Sequence, residues 1–257
     1  MVDSVGIIGV GHLATYLVEG LFRSNPDIEV LLSRYLGDFT EQLAEEFGAT
    51  PVPDNQSVAN GTDLVIVCTR PNDIVSACQA VSFRDDQTVI STAAGVTLAA
   101  FEPAVSPANA VRAMPITCAA ICRSPTLLYP DDASARQLFE LLGTVHALPD
   151  EETFTPASVS TAYYGWVYAL VDAAISWTAN AGVPPEIARP LLLETTRGAT
   201  EMGLTRPDIE LSALLESLAT PGGITRAGLK TLEDRGNLEA WTEAMDVVLE
   251  RLKQPAP

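Results

Sequence analysis

The chain has 257 residues, of which 33 are Asp or Glu and 15 are Lys or Arg, giving a formal net charge of −18. A surface this acidic repels phosphate backbones and anionic headgroups, so neither nucleic-acid binding nor peripheral membrane binding is expected. With 47% hydrophobic and 19% charged residues, the composition is that of a globular chain with one large core or two moderate ones, not a disordered or disulfide-stapled one.

Met1 leads into the apolar run 5–10 without a basic segment or a small-residue cleavage site, so a cytoplasmic location is expected. Short apolar runs at 5–10, 29–32, 64–68, 88–91, 110–114 and 144–148 predict strands, several continuous enough to be buried on both faces. Between them, residues 13–23, 40–47, 73–81 and 133–142 place apolar side chains at three- and four-residue spacing, as crossover helices do. This alternation predicts an α/β domain with a mostly parallel, doubly wound sheet over residues 1–149.

Beyond residue 149 the β-branched runs stop, and an all-α domain is expected over 150–257, with helices at 157–181, 185–203, 210–219, 224–234 and 237–253. Gly182-Val183-Pro184-Pro185 and Pro221-Gly222-Gly223 break one helix and open the next. The 157–181 helix is apolar almost all round, which calls for enclosure by other helices and predicts a partner subunit. Asp172 and Asn180 interrupt it, and its Ala- and Tyr-rich composition argues against a membrane span. Residues 254–257 read as a tail. Cys68, Cys78, Cys118 and Cys122 lack CxxC spacing and are expected to be reduced core thiols. With His12 and His146 the only histidines, no metal site is expected.

Gly9-Val10-Gly11-His12-Leu13-Ala14 follows the first strand directly and opens the first helix. The first Gly allows the tight turn, the second lets backbone approach a pyrophosphate, and Ala14 keeps helix and strand close; the pyrophosphate sits on the helix N-terminus. The second strand ends in Ser33-Arg34-Tyr35, where NAD-binding chains usually carry an acid for the ribose hydroxyls. A hydroxyl and a guanidinium there favour NADP(H), through its 2′-phosphate, over NAD(H). Thr69-Arg70-Pro71-Asn72 and Thr92-Ala93-Ala94-Gly95 close two further strands, and their carboxyl ends line the crevice where such sheets bind ligand.

Taken in order, Gly9-x-Gly11-x-x-Ala14, Ser33-Arg34, Arg70-Pro71, Ala93-Ala94-Gly95, Arg112-Ala113-Met114-Pro115 and Pro221-Gly222-Gly223-x-Thr225-x-Ala227-Gly228-Leu229 make a pattern that resembles pyrroline-5-carboxylate reductases over nearly the whole chain. The resemblance implies an N-terminal NAD(P)-binding Rossmann domain and a helical domain that interlocks in a homodimer or larger homo-oligomer. The implied reaction is reduction of the cyclic imino acid Δ1-pyrroline-5-carboxylate to L-proline. It places Arg112, Ala113, Met114 and Pro115 near the nicotinamide, and Pro221, Gly222, Gly223, Ile224 and Thr225 around the substrate. Such a turn makes chemical sense, because free N–H groups at a helix start suit a carboxylate and the Thr225 hydroxyl suits an imine nitrogen. Ser160 and Ser158 are expected as further substrate contacts, and Tyr163 or Tyr164 as a wall of the pocket.

The departures from the family pattern gather around the substrate. Ile116 stands where the family has Asn, Val159 and Thr161 where it has Gly, and Ile224 where it has Thr. A related imine reductase for a different cyclic imino acid, and a non-catalytic NADP-binding homologue, therefore stay open as alternatives. A β-hydroxyacid dehydrogenase would need a lysine in the 157–181 helix, and there is none.

Overall fold

The computed structural model describes residues 2–34 and 39–254; Tyr35 of the second strand's end, and residues 255–257 of the expected tail, lie outside them. The chain divides into two compact units, Met1–Val159 with Leu249–Pro257, and Ser160–Val248.

In the first unit, β1 (Ser4–Ile8), β2 (Glu29–Ser33), β4 (Leu64–Val67), β5 (Thr88–Ser91) and β6 (Asn109–Met114) form where the apolar runs predicted strands. β3 (Thr50–Val52) was not anticipated, being three residues long with a proline at its centre. Neither was β7 (Ser124–Tyr129), whose inward positions include the buried hydroxyls of Ser124 and Thr126. Those two hydroxyls bond each other at 3.0 Å, and Ser124 Oγ accepts from Ile116 N–H, so a polar pair takes a place the apolar pattern reserves for aliphatics. With β8 (Gly143–Ala147), the sheet order is β3-β2-β1-β4-β5-β6-β7-β8. Strands β1 to β6 run parallel, β7 pairs antiparallel to β6, and β8 runs parallel to β7. The order reverses between β1 and β4, which puts the switch point at the carboxyl end of β1.

Two apolar layers cover the sheet. One joins α1 (His12–Ser24), α2 (Phe39–Phe47) and α6 (Ala133–Glu140) through Leu17, Leu21, Leu43 and Phe139. The other joins α3 (Asn55–Gly61), α4 (Ile74–Gln79) and α5 (Leu98–Val105) through Val58, Ile74 and Phe101. After β6 the chain makes a 3₁₀ turn (Thr117–Ile121) that lies on α1 at Gly20, where a Cβ would run into the Ala119 carbonyl and the Leu142 side chain. The Cys122 thiol donates to the Gly20 carbonyl at 3.5 Å.

The expected 157–181 helix is two helices. α7 (Phe154–Ser158) ends where Val159 N–H bonds the Pro156 carbonyl, a tightened turn, and α8 (Ser160–Asn180) follows. Phe154 packs with Met114 and Leu127, so α7 belongs to the first unit, and the compact division falls after Val159 instead of at the expected 149.

The second unit holds α8, α9 (Pro185–Thr205), α10 (Leu211–Leu218), α11 (Ile224–Asp234) and α12 (Asn237–Lys253), the last of which passes back into the first unit from Leu249. Pro185 starts α9, where its missing N–H costs nothing. Tyr163 and Trp166 on α8 meet Trp241 on α12 edge-to-face at 5.8 and 6.0 Å. Among the described residues of this unit, only Val171, Ala188 and Ala219 are buried, while Trp177, Leu204 and Ile224 stand 72%, 80% and 92% exposed.

Candidate active site

The first strand delivers the chain into Gly9, whose φ of +87° is open to glycine alone without strain. A Cβ there would stand 2.6 Å from Thr69 Cγ2 and 2.9 Å from Thr69 N, so the loop needs glycine for contact as well as for conformation. Gly9 N–H donates to Ser33 Oγ at 3.2 Å, and Ser33 is buried. Ser33, expected to address a 2′-phosphate, accepts from the turn, which ties the ends of β1 and β2 together and leaves its own O–H as a donor. Gly11 precedes α1 with nothing within 4 Å of where its Cβ would be, so this side of the loop is open. No side chain caps α1, which leaves the first-turn N–H groups of His12, Leu13 and Ala14 facing the opening, while the Ala14 side chain is buried against the sheet. His12 itself is exposed, its ring edge-to-face with Phe39 at 5.2 Å.

At the end of β4 the Thr69 hydroxyl is buried and has no hydrogen-bond partner. An orphan hydroxyl beside an uncapped helix start, next to a glycine loop without side chains, is what a phosphate-bearing dinucleotide fits. Arg70 beyond it is exposed and Pro71 half-buried. Beneath, burial pushes the Cys68 thiol up to about 12, against a smaller opposing effect of the Thr92 side chain, so it stays neutral. At the end of β5, Thr92 Oγ1 donates to the Val67 carbonyl at 3.1 Å, Ala93 is buried, Ala94 half-buried, and Gly95 turns with φ +74°. Met114 and Pro115 are buried at the end of β6. Since β1, β4, β5 and β6 are parallel, their carboxyl ends bring these residues to one sheet edge.

Arg34 is exposed, and its Nε lies 3.2 Å from Glu41 Oε1 in the first turn of α2. Its backbone N–H continues the β2–β3 ladder to the Val52 carbonyl at 3.0 Å.

Arg112, which the resemblance places near the nicotinamide, is a buried charge with a partner the sequence pattern does not name. Arg112 on β6 is 2% exposed, and its Nη1 lies 2.7 Å from Glu151 Oε1, which also accepts Leu98 N–H at 2.7 Å. The guanidinium sits 4.1 Å over the Phe154 ring, and its Nε has no acceptor. Burial pulls the Arg112 pKa down while Glu151 holds it up. The cluster joins the Met114–Pro115 strand end, the start of α5 and the entry to α7. The signal for it was a lone Arg within the apolar run 110–114.

The substrate candidates lie in the second unit, with one exception. Ser158, expected as a substrate contact, is buried in the first unit with its hydroxyl on the Phe154 carbonyl at 2.7 Å. Ser160 is exposed at the start of α8, and Tyr164 O–H meets Tyr168 O–H at 2.8 Å. Pro221, Gly222 and Gly223 form the turn before α11, with Gly222 at φ +78°. No side chain caps that helix. A Cβ on Gly223 would crowd Thr220 Oγ1 at 2.9 Å. Ile224 and Thr225 are exposed in its first turn, and Arg226 folds back onto the Ala219 carbonyl at 3.0 Å and Glu216 at 2.6 Å.

Among the described residues, no group of three His, Cys, Asp or Glu could hold a metal, and no helix is long and apolar enough to cross a membrane. Residues 4–95 match the family model "NADP oxidoreductase coenzyme F420-dependent", and residues 152–255 match "Pyrroline-5-carboxylate reductase dimerisation". Similar chains are pyrroline-5-carboxylate reductase 2 of Bacillus subtilis, 26% identical over 96% of this chain and 93% of that one, and the reductase of Corynebacterium melassecola, 26% identical over 98% of each. Over 96–98% of its length the chain is thus similar to pyrroline-5-carboxylate reductases. It is an oxidoreductase acting on a C=N bond. Solved structures of such reductases share its fold. That of Plasmodium falciparum, with NADP bound, matches at TM-score 0.86 and 19% identity over 98% of this chain and 97% of that one. That of Coxiella burnetii matches at TM-score 0.84 and 24% identity over the full length of both.

Proposed function

We propose that this protein reduces Δ1-pyrroline-5-carboxylate to L-proline with NADPH, as a homodimer or larger homo-oligomer. The observation that carries the substrate half is the start of α11, where Gly222 turns the chain, no side chain caps the helix and Thr225 stands in its first turn. The free N–H groups there, at the positive end of the helix dipole, hold the substrate carboxylate. Thr225 hydrogen-bonds the imine nitrogen and keeps the protonated nitrogen in place as the adjacent carbon accepts hydride. A bound nicotinamide would supply that hydride, and the proton on nitrogen, taken up from solvent as the imine becomes an iminium, completes the amine. The Gly9–Ala14 loop and the Thr69 hydroxyl hold the dinucleotide, Arg34 meets its 2′-phosphate, and Arg70, Pro71, Ala93, Ala94, Gly95, Met114 and Pro115 bound its nicotinamide half. Catalysis in this scheme is mainly positioning. Oligomerisation is supported by the dimerisation match over 152–255 and by the exposed apolar side chains of the second unit.

Reduction of a different cyclic imino acid is the second reading, favoured by Ile224, 92% exposed in the helix start where the family has Thr. The test is NADPH oxidation with pyrroline-5-carboxylate and with its six-membered homologue, beside fluorescence titration of NADPH. Turnover of the five-membered ring, reduced about 100-fold or more in Thr225→Ala with NADPH affinity unchanged, supports the proposal. Turnover of the larger ring alone replaces the substrate, and NADPH binding without turnover of either ring overturns the enzymatic reading.

A further inference from the structure

The proposed function leaves Glu41 unused, yet Glu41 is the group that Arg34 touches, at 3.2 Å. The two side chains are 60% and 55% exposed, and an ion pair so far in water is weak, so a competing anion exchanges it readily. Their position is fixed by the fold around them. Ser33 Oγ, bonded to Gly9 N–H, holds the end of β2 beside the phosphate loop, and Arg34 is the next residue. The opening turn of α2, which carries Glu41, begins at Phe39, and Phe39 packs on the His12 ring at the start of α1. A cation and an anion in contact therefore stand where a bound dinucleotide presents its adenosine ribose.

The two sides of that pair answer different cofactors. A 2′-phosphate brings up to two negative charges, takes Arg34 as a charge-assisted donor and stands close to the Glu41 carboxylate. A ribose with free hydroxyls brings no charge, leaves the pair intact and finds in a carboxylate the acceptor that NAD-binding chains usually place at this strand end. We infer that Glu41 is a specificity-determining residue that lowers the preference for NADPH and keeps NADH usable, by occupying Arg34 and repelling the 2′-phosphate. The inference rests on reading Ser33–Arg34 as the ribose end of the cofactor site.

Both substitutions that test it fall on exposed side chains, and an unchanged thermal midpoint shows that the fold is kept. Dissociation constants for NADPH and NADH are measured by fluorescence titration on the full chain, Glu41→Gln and Arg34→Met, at low and high salt. Expected is an NADPH affinity about fivefold tighter in Glu41→Gln, an NADH affinity equal or weaker, and a difference that shrinks as salt screens the carboxylate. Arg34→Met weakens NADPH and leaves NADH nearly unchanged. If Arg34→Met behaves so but Glu41→Gln leaves the ratio of the two constants as it was, the role of Glu41 is overturned and the ribose site stands. If Arg34→Met leaves NADPH binding untouched, the ribose site and the inference fall together.

Discussion

In the first unit, side chains such as Leu17, Ile66, Phe101 and Phe139 are closed off from water, whereas in α10, α11 and α12 not one described residue is buried. Both regions draw on the same apolar residue types, so composition is not what separates them. A strand gains partners on two edges and two faces within its own chain, and eight strands with six flanking helices satisfy one another. A helix alone gains little from propensity and depends on what its apolar side packs against. Side chains such as Trp177 and Leu204 then mark a surface for which the single chain has no cover, in the stretch that matches the dimerisation model.

Truncating one side chain in each unit breaks that comparison if the two respond alike. Phe139→Ala opens a cavity in a closed core and is expected to cost about 3–5 kcal/mol, read as a large fall in thermal midpoint at any protein concentration. Trp177→Ala is expected to leave a dissociated chain nearly as stable, and to shift light-scattering mass toward the 27.3 kDa of one chain as the protein is diluted. A smaller effect tests the edge of the first unit. Removing the carboxylate in Glu151→Ala leaves the Arg112 cation buried without a partner, which is expected to cost about 3 kcal/mol in denaturant unfolding, while Arg112→Met with Glu151→Leu restores most of it.

A separate, pH-dependent effect follows from the thiols, all four of which lie in the first unit. Burial lifts Cys68 and Cys78 from 9.0 to about 12. Because the unfolded chain loses these protons first, the stability they contribute is complete below pH 9 and is lost as pH rises from there through about 12. A series of melts from pH 8 to pH 11 is expected to show a decline that Cys78→Ala makes shallower.

Six of the eight described strands and four of the six described helices that flank the sheet were legible, because buried parallel strands are continuous apolar runs and crossover helices keep their spacing; β3, β7, α3 and α5 were not. Two of the misses have a plain physical reason. β7 hides because Ser124 and Thr126 satisfy one another inside the sheet, a pairing no hydropathy pattern records. The break at Val159 hides because a turn tightened by one residue leaves the apolar pattern uninterrupted. Gly9, Gly11 and Gly222 were legible as turn and approach positions, since the backbone states or open space they require belong to glycine. Partnerships were not legible. Ser33 was expected to face a ligand and holds Gly9, Ser158 was expected to face substrate and bonds its own helix, and Arg34 was read without Glu41. A sequence displays which groups a residue offers, while only the fold decides which of them are already engaged.

Gly20 sits in mid-helix, where glycine costs about 1 kcal/mol relative to alanine. It is there because α1 and the turn after Pro115 touch backbone to backbone at that point. One piece of this joint leads to the Gly9–Ala14 loop and the other to the Met114–Pro115 strand end, so the joint works as a gauge block between those two strand ends. Side chains at a contact change rotamer and absorb small errors, but two backbones in contact have no such play. A methyl group added at residue 20 would therefore register as a changed separation between the Gly9–Ala14 loop and the Met114–Pro115 strand end.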